Sequence, residues 1–181
     1  MNHLTPSMPK VPASEQDMNL ARKSLLQKCF GLAVGSPDPS TQNAAIILPK
    51  FHTSVSGINQ FPKGVQYLPE RWERPIKYRY IEHAERNAIY QAARCGVPLQ
   101  DALMVCPWAA CTDCARGIIQ SGIKELITYK KSHDNSSKSW IPDIDIAFTM
   151  LREAGIIVTM YDGPLCAQPI RMNGEQWNPS Q

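Results

Sequence analysis

Between residues 83 and 161 the chain alternates segments of helical periodicity with short apolar runs, and this order is the strongest constraint on its fold. The apolar runs are short and rich in the branched aliphatic residues that favour strands. Strands that alternate with helices usually pair in parallel through helical crossovers. The alternation predicts a layered α/β domain, with helices at about 83–95, 112–121 and 143–154 and strands at 102–106, 125–129 and 156–161.

The segment before residue 83 predicts one more helix and a β-hairpin. Ser14 is followed three residues later by Asp17, a pattern typical of a helix N-terminus. The apolar spacing that follows predicts an amphipathic helix that ends near Gly35. Two short strand-like runs, 44–48 and 53–59, are separated by Pro49 and Lys50 and predict the hairpin.

The remaining segments predict connections and tails. Residues 60–80 form a long connection of the kind that is often functional, and the serine-rich stretch 131–140 predicts a polar, mobile loop. The prolines of residues 1–13 predict a flexible N-terminal tail. We expect one domain of moderate size over 14–162, followed by a C-terminal tail without regular structure at 163–181.

Charge and hydropathy exclude several classes of protein. The net charge is +3 and the basic residues are dispersed, which argues against nucleic-acid binding. No apolar run approaches the ~18 residues of a membrane span, and the N-terminus lacks the features of a secretory signal. We therefore expect a cytoplasmic protein that binds neither membranes nor nucleic acids.

The six cysteines predict a metal site and not a disulfide framework, because an intracellular protein keeps its thiols reduced. Cys111 and Cys114 have the spacing of a metal-binding pair. We interpret the other four as small core residues; they are Cys29, Cys95, Cys106 and Cys166.

The chemistry of a catalytic metal centre is predicted by two clusters, HAE at 83–85 and CTDC at 111–114. Two thiolates at a helix start can bind one ion together, and His83 can supply a third ligand from the start of the preceding helix. Three protein ligands leave one tetrahedral position open, which is typical of catalytic zinc. Glu85 can then point into the cavity beside the ion and act as a proton shuttle.

Each motif also has a simpler interpretation. A lone Cys-x-x-Cys can be a redox pair, but such a pair usually follows a first strand in a thioredoxin-like order. A structural zinc requires a fourth ligand, and Cys106 is a poor candidate because it is predicted in a strand. A zinc-binding module without catalysis remains an alternative, although it has no use for Glu85.

At these motifs the chain resembles the deoxycytidylate (dCMP) deaminases of the zinc-dependent cytidine/deoxycytidylate deaminase superfamily. The resemblance covers about residues 20–160 and rests on the segments SPDPSTQ, GINQFPKGV, HAERNAIYQAAR and CTDCARGIIQSGIKELI. It implies a three-layer α/β/α cytidine-deaminase-like fold with a central mixed five-stranded sheet. It also implies hydrolysis of dCMP to dUMP and ammonia, which feeds thymidylate synthesis.

The resemblance assigns roles to individual residues. It implies that His83, Cys111 and Cys114 bind Zn²⁺ and that Glu85 carries protons to ring atom N3 and to the leaving amine.

It further implies substrate contacts. Asn59 would bond the deoxyribose, and the backbone at Ala84 and Glu85 would contact the base. Ser36 and Arg94 would help to hold the nucleotide and its phosphate, although a helix-end arginine is more often solvated or at a subunit contact.

The chain departs from the family pattern at several positions. Ala110 replaces the proline before the first cysteine, Gln60 replaces a glycine, and Asn43-Ala44 replaces Val-Gly. Ser132 stands where the family has a tyrosine, and Trp108 lies in a stretch that usually has no tryptophan. These changes leave the zinc chemistry intact, but they bear on the nucleotide and on its regulation by dCTP or dTTP.

Alternative substrates are another cytosine nucleotide or nucleoside, such as a modified dCMP, dCTP or deoxycytidine. The resemblance also implies a homo-oligomer, with a hexamer as one form.

Overall fold

A five-stranded mixed sheet forms the centre of the computed structural model, which describes residues 14–181; the predicted tail at 1–13 lies outside the described residues. The strands are β1 (Ala44–Leu48), β2 (Val55–Ile58), β3 (Leu103–Val105), β4 (Glu125–Tyr129) and β5 (Ile157–Tyr161). They lie in the order β2-β1-β3-β4-β5. β1 is antiparallel to β2 and β3, whereas β3, β4 and β5 are parallel. The predicted hairpin and parallel crossovers are therefore confirmed.

Six helices accompany the sheet in the described residues. They are α1 (Glu15–Ala33), α2 (Lys77–Tyr80), α3 (Ala84–Cys95), α4 (Thr112–Gln120), α5 (Lys130–Asp134) and α6 (Ile141–Glu153), besides one 3₁₀ turn at Pro69–Trp72. The predicted N-terminus of α1 is confirmed, because the Ser14 side chain accepts from the Asp17 backbone N–H and Asp17 bonds the Ser14 backbone in return.

Alternating residues of the strands divide the core into two layers. Ala45 and Ile47 of β1 pack with buried residues of α3, α4 and α6 on one face of the sheet. Ala44 and Ile46, on the opposite face, pack with α1. Side chains of a strand point alternately to the two faces, so a single strand serves both layers. The predicted three-layer α/β/α fold is confirmed.

Close contact between β2 and α3 fixes the helix that carries His83 and Glu85. An added Cβ at Gly57 in β2 would lie 2.3 Å from the Ala88 backbone nitrogen and 2.6 Å from the Ala84 carbonyl oxygen. Only glycine allows the helix backbone to approach the strand this closely.

The prediction of a C-terminal tail without regular structure is wrong. Strands β6 (Ile170–Met172) and β7 (Glu175–Trp177) form an antiparallel hairpin. Leu165 and Ile170 are buried in the α1 layer of the core. Each strand has only three residues, too few to show an alternating pattern in the sequence.

Three smaller expectations also need correction. The 131–140 segment begins inside helix α5, and the 60–80 connection contains the 3₁₀ turn and α2. This connection is packed on itself, with the buried Phe61 ring stacked against Trp72 at a centroid distance of 4.0 Å. Cys95 and Cys166 are exposed, so of the four cysteines predicted in the core only Cys29 and Cys106 are buried.

None of the helices formed by residues 14–181 is long and apolar enough to cross a membrane.

Candidate metal centre and its cavity

The starts of α3 and α4 bring the three predicted ligands together. His83 and Cys111 are the residues that immediately precede the two helices, and Cys114 lies in the first turn of α4. The His83 Nδ1 atom lies 3.5 Å from Cys111 Sγ and 3.7 Å from Cys114 Sγ. All three candidate ligand atoms lie within 4.8 Å of one another.

This donor set fits a tetrahedral zinc ion. Zn–S and Zn–N bonds of about 2.3 and 2.0 Å place a sulfur and a nitrogen ligand roughly 3.5 Å apart. Cys106 does not belong to this group in residues 14–181, and it lies instead beside Asn43, whose Nδ2 donates to its sulfur at 3.2 Å. The centre therefore has three protein donors among the described residues and room for one further ligand.

The Cys111 sulfur favours the thiolate form, whereas its hydrogen bond to Cys111 and its burial raise the pKa of Cys114. A hydrogen bond from Cys114, together with contacts to His83, lowers the pKa of Cys111 to about 4 despite its burial. The backbone of the first turn of α4 contributes to the same effect, because a helix N-terminus favours negative charge. Burial alone would lower the pKa of His83, but its hydrogen bond to Cys111 raises it.

Arg86 is a neighbour of the centre that the sequence analysis missed. Its Nη1 lies 3.5 Å from Cys114 Sγ and 4.0 Å from Cys111 Sγ, and its Nε donates to Glu82 Oε2 at 2.7 Å. When both cysteines bind a cation as thiolates, the guanidinium would offset part of their buried charge, which is otherwise costly. Its position one helical turn after His83 is the only sequence signal that points to it.

We expect the substitution Arg86→Met to weaken zinc binding about 10- to 100-fold, because loss of a group that bonds metal ligands has effects of this size. The measurement is zinc affinity by competition with a chelator. Arg116→Met is the matched control, since Arg116 is exposed and pairs with Asp113. Equal affinities in the two variants would contradict a role for Arg86 at the centre.

Asp143 of α6 fixes the first turn of α4. Its carboxylate oxygens accept from the backbone N–H of Thr112 at 2.9 Å and from the Thr112 hydroxyl at 2.8 Å. Thr112 directly follows Cys111, so this contact holds the ligand loop against α6. The pair is separated by 31 residues and has no local signal in the sequence.

Glu85 is a buried acid with an unused oxygen. Within residues 14–181 its Oε2 atom has no hydrogen-bond partner, and the residue is 2% exposed. Burial raises its pKa above the ordinary value. It lines a cavity together with His83 and Cys111. A carboxyl group in this setting is suited to take up and release protons.

The cavity beside Glu85 opens to solvent, and about 740 Å³ of empty space lies within it and at its mouth. Its aromatic wall includes Trp108 and Trp140, and Trp140 lies edge-on to the His83 ring at a centroid distance of 6.2 Å.

Cationic groups that the sequence analysis did not identify line the same cavity. Lys77 Nζ lies 2.6 Å from Asp38 Oδ1, and both side chains are almost fully buried. Burial lowers the pKa of Lys77, and Asp38 offsets part of that effect. Arg74 also lines the cavity and repels the Lys77 ammonium. The three residues give the cavity a charged region.

The predicted substrate residues fall into three groups. Asn59 lines the cavity, and its amide joins two segments: Oδ1 accepts from the Ala84 backbone N–H and Nδ2 donates to the Thr41 carbonyl, both at 2.9 Å. Ser36 is buried behind it and donates to the Asn59 carbonyl oxygen at 2.7 Å. Arg94 lies exposed in the last turn of α3 and does not line the cavity.

Comparison with known proteins agrees with this site. Residues 20–130 match the model of the cytidine and deoxycytidylate deaminase zinc-binding region. An uncharacterized deaminase of Aliivibrio fischeri, from the luxG 3′ region, is 36% identical over 124 residues, which are 68% of this chain and 82% of that protein. The deoxycytidylate deaminase of Enterobacteria phage T2 is 45% identical over 76 residues, 42% of this chain and 36% of the relative. The human deoxycytidylate deaminase is 32% identical over 117 residues, 61% and 65% of the two chains.

Solved structures show the same fold. A dCMP deaminase from cyanophage S-TIM5, crystallised with dCMP and dUMP, aligns with a TM-score of 0.58 at 18% identity, covering 82% of this chain and 98% of that one. The diaminohydroxyphosphoribosylaminopyrimidine deaminase/reductase of Thermotoga maritima aligns with a TM-score of 0.57 at 20% identity, over 80% of this chain and 37% of that one. The matched region contains all three candidate ligands and Glu85, and the chain belongs to the cytidine and deoxycytidylate deaminase family of zinc-dependent hydrolases.

Proposed function

We propose that this protein hydrolyses dCMP to dUMP and ammonia. The observation that carries the proposal is the buried Oε2 of Glu85, which has no partner in residues 14–181 and lies in the same cavity as His83 and Cys111. Arg74 and Lys77 in that cavity supply positive charge of the kind that a 5′-phosphate requires. Relatives named deoxycytidylate deaminase support the choice of dCMP.

In this mechanism His83, Cys111 and Cys114 would hold the zinc ion, which would supply an acidified water at C4 of the pyrimidine. Glu85 would accept one proton from that water at its carboxylate and deliver it to ring atom N3 while the water oxygen forms its bond to C4. Glu85 would then pass the second water proton to the amino group, the bond between C4 and that nitrogen would break, and ammonia would leave. One water is consumed and one ammonia is released, so the atoms balance.

The protein positions the substrate with groups around this centre. We assign Asn59 to the deoxyribose, with Ser36 as the residue that fixes its backbone from behind. The Asn59–Ala84 hydrogen bond ties the sugar-binding side chain to the start of α3. Arg94 is exposed, so we propose no substrate contact for it.

A modified dCMP is a second candidate substrate, favoured by Asn43. This buried amide lines the cavity where the family usually has valine. In residues 14–181 its side chain bonds only Cys106, as Nδ2 donates to Sγ at 3.2 Å and Oδ1 accepts from Sγ at 3.7 Å. A polar wall suits a pyrimidine that carries a polar substituent better than an unmodified ring.

The test is turnover of dCMP, CMP, deoxycytidine, dCTP and 5-hydroxymethyl-dCMP by the zinc-loaded protein, followed as loss of cytosine absorbance. We expect dCMP to have the highest kcat/KM. Arg74→Gln should raise KM for dCMP about tenfold or more and leave deoxycytidine unaffected, because it removes a charged contact to phosphate. Arg79→Gln is the control, as Arg79 is exposed outside the cavity.

Turnover restricted to unphosphorylated nucleosides would contradict the assignment of dCMP. A clear preference for the 5-hydroxymethyl compound would instead favour the second candidate. A homo-oligomer remains a prediction, and so does regulation by dCTP or dTTP.

A further inference from the structure

The C-terminal hairpin is docked on the loop that forms one wall of the cavity. Gln42 donates its backbone N–H to the Arg171 carbonyl at 3.0 Å, and its side-chain Oε1 accepts from the Arg171 backbone N–H at 2.9 Å. Gly174 donates to the Ser40 carbonyl at 2.8 Å. These hydrogen bonds fix the position of the hairpin along the 36–43 loop.

Aromatic packing holds the other end of the hairpin. Trp177 lies 6.0 Å from Trp108 and 6.1 Å from Phe30, measured between ring centroids. The Tyr129 hydroxyl donates to the Pro179 carbonyl at 3.3 Å. These contacts join residues beyond the family match at 20–130 to the sheet and to the cavity wall.

The tip of the hairpin reaches the cavity. Asn173 and Gly174 form a two-residue connection in which both φ angles are positive, 53° and 89°. Asn-Gly is the favoured pair for such a turn, so the turn alone accounts for the choice of asparagine. Asn173 nevertheless lines the mouth-side of the cavity as an exposed residue, and its side chain makes no hydrogen bond within residues 14–181. The amide is thus available to a ligand.

The charged residues near Asn173 indicate which part of a ligand its side chain would contact. Arg171, two residues earlier, donates from Nε to the Asp38 carbonyl at 3.4 Å. Asp38 pairs with Lys77, and Arg74 acts on the same ammonium. The hairpin tip therefore adjoins the charged region of the cavity, whereas the charges that act on Glu85 come from His83, Cys111 and Arg86.

We propose that Asn173 is a specificity-determining residue whose side-chain amide donates a hydrogen bond to the 5′-phosphate of the nucleotide. The proposal rests on the proposed function, because it requires a phosphorylated substrate. It assigns a recognition role to a hairpin that lies outside the segment matched by the family. The hairpin thereby favours a nucleoside monophosphate over a nucleoside.

The decisive variant is Asn173→Gly, which keeps a residue that tolerates positive φ and removes only the amide. We expect KM for dCMP to rise about 10- to 20-fold, the lower end of the range for a hydrogen bond to a charged group because Asn173 is exposed, with kcat within about twofold. The Kd of dUMP, measured by calorimetry, should rise by a similar factor. kcat/KM for deoxycytidine should stay unchanged.

Two further variants separate this role from turn geometry. Asn173→Asp keeps the turn and places a negative charge beside the phosphate, so KM for dCMP should rise about 100-fold. Asp101→Gly is the control for the backbone effect of glycine. Asp101 also has a positive φ, 58°, but it does not line the cavity, so this variant should have wild-type kinetics.

The outcomes separate the two proposals. If wild-type protein prefers deoxycytidine to dCMP, the proposed function fails, and the hairpin proposal fails with it. If wild-type protein prefers dCMP and Asn173→Gly has unchanged KM and Kd, only the hairpin proposal is overturned. An equal loss with dCMP and deoxycytidine would also overturn it, because the contact would then not involve phosphate.

Discussion

Replacing Glu85 by glutamine should lower kcat about 10⁴-fold, the upper end of the range for acid–base catalysis, while each chain still binds one zinc ion. Glutamine has the same shape but cannot carry a proton between the water, the ring and the leaving amine. The kinetic measurement is loss of cytosine absorbance at saturating substrate, and the zinc content is measured by elemental analysis.

Thermal unfolding adds a second readout for the same variant. The Glu85 carboxyl is buried and its Oε2 has no partner in the described part of the chain, so a neutral amide should not lower the melting temperature. Glu125→Gln, at an exposed strand position, is the matched control and should have wild-type kinetics. Activity of Glu85→Gln within tenfold of wild type would remove Glu85 from the mechanism.

The order of the elements and the candidate ligands of the metal centre were predictable from local patterns. Helical periodicity and short apolar runs defined β3, α4, β4, α6 and β5 to within two residues. His83 and Cys111 were predicted at helix starts, and the two helices begin directly after them. In a sheet with parallel crossovers, such helix starts can lie at the same edge, so local pattern was sufficient to bring the ligands together.

The supporting contacts were not predictable, because each joins residues that are distant in the sequence. Asp38 and Lys77 are 39 residues apart, and each resembles an ordinary loop or surface residue when read alone. Their pairing depends on how the 36–43 loop folds against α2. Only the assembled structure shows that both side chains are buried and line the cavity.

The C-terminal hairpin was missed for a different reason. Pro164 and Pro169 suggested an irregular tail, and strands of three residues carry no measurable period. The Asn173-Gly174 pair was the available signal, since this dipeptide favours a two-residue hairpin turn. This dipeptide predicts a hairpin only when it is read together with the apolar residues Ile170 and Met172 before it, which are both buried in the structure.

The residue roles taken from the family resemblance differ in how they fit the structure. Asn59 lines the cavity and Ser36 lies behind it, where it can act only through Asn59. Arg94 is exposed, as the alternative interpretation of a helix-end arginine expects. Arg74 and Lys77 line the cavity instead, and Lys77 is paired there with Asp38.

Replacing Cys114 by alanine should remove nearly all bound zinc and with it all measurable turnover. Only His83 and Cys111 would remain as ligands, and two protein donors do not retain zinc against dialysis as three do. The melting temperature of the zinc-loaded protein should also fall, because the ion joins the starts of α3 and α4. The measurements are zinc per chain by elemental analysis in reducing buffer, steady-state turnover and thermal unfolding.

Cys106→Ala is the control that tests the choice of ligands. Cys106 is buried near Glu85 and bonded to Asn43, so its loss should cost about 1–2 kcal/mol of stability through a small cavity. Because its sulfur is not a ligand, the variant should keep one zinc ion per chain. Loss of zinc from Cys106→Ala but not from Cys114→Ala would mean that the ligand set is wrongly assigned. Wild-type protein that contains no zinc and takes up none on reconstitution would contradict the metal centre as a whole, and with it the role given to Glu85.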